Sequence, residues 1–173
     1  MVKTCNTRLV IRQIVGFHED SLGDWVAELS CFHARHVRHR PPFDLRPWVV
    51  TSSGRASRVG STLECVYCDR RELPDGLIVT RIAGPFDDAT LPPALLSNHR
   101  IAAGCWGRLR VLEGAVTFRA IAGPFEVHLE RGSEQPIPPD DEHCIVMHEA
   151  RIEIDFLRPA PSRASEAVLA SGP

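Results

Sequence analysis

Cys31-Phe32-His33 and Cys65-Val66-Tyr67-Cys68 are the stretches on which the reading of this chain turns. Zinc takes four soft or borderline ligands in a tetrahedron, and ligand pairs one or two residues apart on tight turns supply that geometry. Between the pairs runs His33-Ala-Arg-His36-Val-Arg-His39-Arg-Pro-Pro, with a histidine at every third residue. The pattern predicts a zinc held by Cys31, His33, Cys65 and Cys68. His36 competes with His33 for the fourth place, and His39 reads as solvated or beside a ligand. The plain alternative is three unrelated buried thiols and a solvated His/Arg loop.

Outward from this cluster, residues 8–18 alternate β-branched and polar types, and Glu19-Asp-Ser-Leu-Gly-Asp24 is turn-rich. Trp25-Val-Ala-Glu-Leu-Ser30 alternates again, so the pair predicts an antiparallel hairpin whose end delivers Cys31 and His33. Thr51-Ser-Ser-Gly-Arg suits one helical turn capped by a hydroxyl. A module of this size buries little core, and a metal would help hold it together. Asp69–Gly76 reads as a linker. From Leu77 the pattern becomes short strands punctuated by Gly and Pro: 78–82, 108–112, 115–120, 125–129, 143–147 and 151–157, with a helical turn within 92–99. The fold class expected is mainly β, a small zinc-bound hairpin module (1–70) followed by a β-barrel (77–158) and a flexible Ala/Ser/Pro-rich tail (159–173).

The chain has 173 residues, 43% of them apolar, and a formal net charge of −2, which argues against wholesale attraction to nucleic acid or membrane. Residues 1–75 hold 11 Lys+Arg against 9 Asp+Glu, and residues 76–173 hold 9 against 13, a hint of two units. No signal-peptide pattern or membrane-length apolar run is present, so a cytoplasmic protein with reduced cysteines is expected. Cys5, Cys105 and Cys144 then read as small apolar residues.

The runs Gly16-Phe-His18-Glu-Asp20, Trp25-Val-Ala-Glu-Leu, Cys31-Phe-His33, His36-Val-Arg-His39-Arg-Pro-Pro, Arg46-Pro-Trp48-Val and Cys65-Val-Tyr-Cys68 resemble the DUF3565 type of bacterial protein over residues 13–70. That resemblance implies the module and brings no activity. Members of the type usually carry Gly between the Cys and the first His, where this chain has Phe32, a residue less tolerant of positive φ.

Leu91-Pro-Pro-Ala-Leu-Leu-Ser-Asn-His99, Trp106-Gly-Arg-Leu-Arg-Val-Leu-Glu-Gly114, Pro138-Pro-Asp-Asp-Glu-His143 and Ile154-Asp-Phe-Leu resemble the cupin-like DUF1971, or tellurite-resistance-related, proteins over residues 77–158. The resemblance implies a small barrel with His99 and His143 at its mouth. Metal-binding cupins supply two histidines and a glutamate from the first motif and one histidine from the second. Here Ile101 replaces the second histidine, the glutamate's place falls near Gly107, and Glu113 faces water. A second divalent metal on His99 and His143 therefore needs a third ligand, from His128 or His148. Alternation from His143 puts His148 on the opposite strand face. Otherwise the two histidines are polar groups of a small-molecule pocket.

Arg35, Arg38, Arg40 and Arg46 could contact phosphates, but no aromatic residues are interleaved with them, and a solvated loop is the preferred reading. Arg108 and Arg110 suit an outer strand face or a homodimer surface. The functional expectation is a stress-related cupin that binds a small molecule, metal or oxyanion and is stabilised by structural zinc. The alternatives are a metal-dependent cupin oxygenase or isomerase, and nucleic-acid binding through the basic zinc loop.

Overall fold

The hairpin forms where the alternation placed it. In the computed structural model, which describes residues 10–161, β1 (Ile11–Glu19) and β2 (Trp25–Leu29) pair antiparallel, with Glu19 opposite Trp25. Asp20 makes the turn: its carboxylate accepts from the Leu22 and Asp24 amides at 2.9 Å each. Short strands β3 (Ala34–His36) and β4 (Thr62–Glu64) complete a sheet of order β3-β2-β1-β4. A 3₁₀ turn (Pro47–Val50) leads into α1 (Ser52–Ala56), and Thr51 caps α1 by accepting from the Gly54 amide. Helical turn α2 (Val66–Asp69) follows β4. Cys5 and the tail beyond residue 161 lie outside the described residues.

The second sheet is built on two long strands. The elements here are β5 (Leu77–Phe86), α3 (Pro93–Leu96), β6 (His99–Arg100), β7 (Trp106–Ala120), β8 (Glu126–Glu130), β9 (Glu134–Ile137) and β10 (Glu142–Pro159). β7 and β10 pair antiparallel from Trp106 opposite Leu157 to Ala120 opposite His143. The sequence pattern divides each of them in two, with strands expected at 108–112 and 115–120 and at 143–147 and 151–157. The breaks between them are instead the facing sides of one bulge. Gly114 has φ 66° and Glu149 φ 50°, and a Cβ on Gly114 would strike the Glu149 carbonyl. Beyond the bulge the neighbour changes: the first part of β7 pairs with β9 and the second with β8.

Leu109, Val111, Val116 and Phe118 of β7 face Ile145, Ile152 and Ile154 of β10 in one core. A second core is shared by the two halves of the chain. Ile14, Leu29, Val37, Val49 and the three cysteines pack there with Trp106 and Leu157 from the ends of β7 and β10. The stretch 69–76, expected as a linker, is anchored rather than free. Leu73 packs on the shared core, and Arg71 is buried with its guanidinium 2.7 Å from Asp141. No described helix is long and apolar enough to cross a membrane.

Candidate metal centre and adjoining pocket

Cys31 sits on a tight reversal at the end of β2. The Phe32 amide donates to Leu29 O at 2.8 Å and the Leu29 amide to His33 O at 2.9 Å. The reversal needs a left-handed residue at its apex, and Phe32 takes it, with φ 69°. Cys65 and Cys68 come from α2, where Cys65 is the N-cap and a three-residue spacing brings both thiols to one face. The structure thus brings Cys31, His33, Cys65 and Cys68 together, all buried, with ligand atoms within 4.8 Å of one another.

The spacing suits a metal. Tetrahedral zinc with bonds of about 2.3 Å to sulfur and about 2.0–2.1 Å to nitrogen sets ligand atoms roughly 3.8 Å (S–S) and 3.6 Å (S–N) apart. Cys31 Sγ and Cys65 Sγ are 3.7 Å apart, and His33 Nδ1 lies 3.5, 3.4 and 3.8 Å from the sulfurs of Cys31, Cys65 and Cys68. Burial pushes the His33 imidazole down, but contact with the Cys31 and Cys65 sulfurs outweighs this and raises it to about 9. Contacts with Cys31 and Cys68 drive the Cys65 thiol down, whereas the Cys31 and Cys65 sulfurs hold Cys68 up. A divalent cation would let the sulfurs ionise together while the imidazole stays neutral. Three thiolates, a neutral imidazole and a divalent ion leave one negative charge. The Arg12 guanidinium, near enough to favour the Cys68 thiolate, answers it.

Four ligands with no open position describe a structural centre. Its walls come from both halves. His33 stacks on Tyr67 with centroids 5.0 Å apart and meets Trp106 edge-on at 5.5 Å. Trp106, fully buried, donates its indole N–H to the Cys31 carbonyl at 2.9 Å. His36 is turned away, 2.8 Å from the Asp20 carboxylate, and His39 Nδ1 accepts from the Arg46 amide. The arginines of this loop are largely engaged: Arg38 and Arg40 with Asp24, Arg35 with the Glu64 carbonyl.

His99 and His143 face one cavity of about 230 Å³, lined otherwise mainly by apolar side chains such as Phe86, Leu95, Ile101, Ile137 and Ile154. Their rings meet edge-on, with centroids 5.5 Å apart. Burial pushes both imidazoles below their ordinary range. Gly107, at the place of a cupin glutamate, has no room for a side chain, since a Cβ there would strike Ile101. His128 and His148 lie together around Thr117, exposed on the other face. Among the described residues, only the Cys/His cluster brings three or more ligating side chains into common reach. Arg108 and Arg110 are tied to Asp155, Glu153 and Glu134.

Two contributors escape sequence reasoning. In the sequence Trp106 shows only as the start of a strand motif. Arg71 sits in a charged stretch with nothing to mark it, yet its amide donates to Cys68 O and its guanidinium lies over Phe118 and Phe125 beside Asp141.

Comparison with curated proteins found no match. Among solved structures, a protein from Escherichia coli strain K12 is 25% identical, covering 52% of this chain and 98% of that one, with a TM-score of 0.49. TehB from Haemophilus influenzae is 18% identical over 57% of this chain and 42% of its own length, with a TM-score of 0.46. A protein of unknown function (DUF1255) from Acidithiobacillus ferrooxidans is 10% identical over 91% of this chain and 96% of its own, with a TM-score of 0.24. Residues 15–72 match the DUF3565 family of unknown function, and residues 83–155 match the TehB-like domain.

Proposed function

We propose that the Cys31/His33/Cys65/Cys68 cluster holds a structural zinc that fastens an N-terminal module (1–70) to a cupin-like barrel (77–158). The barrel binds a small molecule in the His99/His143 cavity, as a cytoplasmic protein of chemical stress. The observation that carries the zinc reading is the set of buried sulfur and nitrogen atoms at tetrahedral separations. The TehB-like segment accords with a tellurite-resistance relation. The cavity wall is mostly hydrocarbon around two imidazoles held below their ordinary range, with Arg81 as its one guanidinium, so an organic occupant fits most of the wall. An enzyme of the metal-dependent cupin kind would need a third ligand beside His99 and His143. Nucleic-acid binding would have to recruit arginines already engaged within the loop.

Metal analysis of the purified protein tests this reading. One zinc per chain is expected, and the Cys65→Ser/Cys68→Ser variant should lose it together with the ordered N-terminal sheet, because metal binding and folding are coupled. Stoichiometric zinc persisting in that variant would overturn it.

A further inference from the structure

We infer that the cavity selects small, largely apolar molecules carrying one O–H or N–H donor, with His143 Nε2 as the acceptor that reads it. The inference rests on the reading of the cavity as a ligand site and adds the chemistry of the ligand. Its starting point is a tautomer. His143 is fully buried, and its Nδ1 lies 2.9 Å from the Asp141 carbonyl, which can only accept. Nδ1 must therefore carry the ring proton. In a neutral imidazole the other nitrogen is then a bare lone pair. His143 Nε2 is that nitrogen, buried and without a partner. Burial keeps the ring neutral, so the lone pair is not consumed by a proton.

The tautomer is locked from the metal-bearing half. The Asp141 side chain is held 2.7 Å from Arg71, with 8% and 11% of the two side chains exposed. Arg71 in turn is fixed by its amide on Cys68 O and by the Phe125 ring 4.4 Å beneath its guanidinium. The loop that presents the carbonyl to His143 is therefore clamped on both sides. Phe118 stacks on the His143 ring with centroids 5.2 Å apart and packs against its face.

Size sets the rest. An apolar cavity of about 150 Å³ takes benzene, and this one, at about 230 Å³, has room for a substituted ring or a short branched chain. Its buried polar feature without a partner is the Nε2 acceptor, and a ligand lacking a donor leaves that atom unpaired.

Phenol and toluene differ by the donor at nearly constant shape, and they are the probes. Binding of each is followed in full-length, zinc-loaded protein by the methyl resonances of Ile101 and Ile154. Toluene, the more hydrophobic, would bind more tightly to a cavity without an acceptor. Here phenol should bind at least as tightly, and His143→Leu should shift the phenol/toluene preference at least tenfold toward toluene. Should that variant fail to fold, the ¹⁵N resonance of His143 Nε2 in the native protein serves instead. It should move from the unprotonated-nitrogen region upon addition of phenol and stay in place with toluene. Tighter binding of toluene, or equal binding with an unmoved Nε2 resonance, overturns the ligand class while leaving the pocket standing. Absence of any methyl shift with either probe overturns the pocket and, with it, the class.

Discussion

Replacing Trp106 with Phe tests whether the two halves stand on one shared core. Trp106 is fully buried between the metal cluster and the end of β10, and its indole N–H satisfies the Cys31 carbonyl. Phenylalanine keeps an aromatic ring but leaves that carbonyl buried and unpaired, at about 1–3 kcal/mol. The lost ring volume adds about 1 kcal/mol of cavity cost. A total of roughly 2–4 kcal/mol corresponds to a fall in Tm of about 4–16 °C for a domain of this size. Differential scanning calorimetry of the zinc-loaded protein measures it, and the transition should stay single because the core is common. Chelator competition should show faster zinc release, since the bond removed holds the backbone of one ligand. A Tm within about 1 °C of the native protein, with unchanged zinc release, would mean that the two halves do not share this core.

Further outcomes follow from the same contacts. Phe32 holds a left-handed backbone conformation, so Phe32→Gly, which removes a strain of about 1–2 kcal/mol against about 0.5–1 kcal/mol of added chain entropy, should retain metal with stability unchanged or slightly raised, whereas the β-branched Phe32→Val should be less stable than the native protein; equal tolerance of both in urea titrations would speak against strain at the knuckle. His99 and His143 are held below the ordinary imidazole value of 6.5, so the unfolded chain takes up protons there first. Stability should therefore fall as pH drops below about 6.5, and His143→Leu should flatten that slope. A slope identical in the variant would remove His143 from the cause. β5 ends the second sheet with Ile78, Val79 and Ile82 exposed, while Arg108 and Arg110 are satisfied within the chain. Pairing of two copies along β5 should appear as a dimer in light scattering and be lost in Ile82→Glu; a monomeric native protein at micromolar concentration would contradict it.

What could be read from the sequence is what neighbouring residues decide among themselves. Alternation around the Asp20 turn, the Thr51 cap and the i, i+3 spacing of Cys65 and Cys68 are local, and each appears in the structure as written. The pairing of His99 with His143 across one cavity was legible only through motif resemblance, because β6 meets β10 over forty residues away. Gly114 misled for a physical reason. A glycine with positive φ serves a tight turn and a bulge equally, and only the Glu149 carbonyl opposite distinguishes the two. Arg71 carries no local signature, and Trp106 shows only as the start of a strand motif. Their importance arises from where the second sheet places Asp141, Phe125 and Cys31, which long-range packing alone determines.

X-ray absorption at the zinc edge of the purified protein reads the ligand set of the Cys/His cluster itself. Three sulfur neighbours at about 2.3 Å and one nitrogen at about 2.0–2.1 Å are predicted, from Cys31, Cys65, Cys68 and His33 Nδ1. A shell of nitrogen and oxygen alone, or one unchanged by Cys65→Ser/Cys68→Ser, would contradict the account.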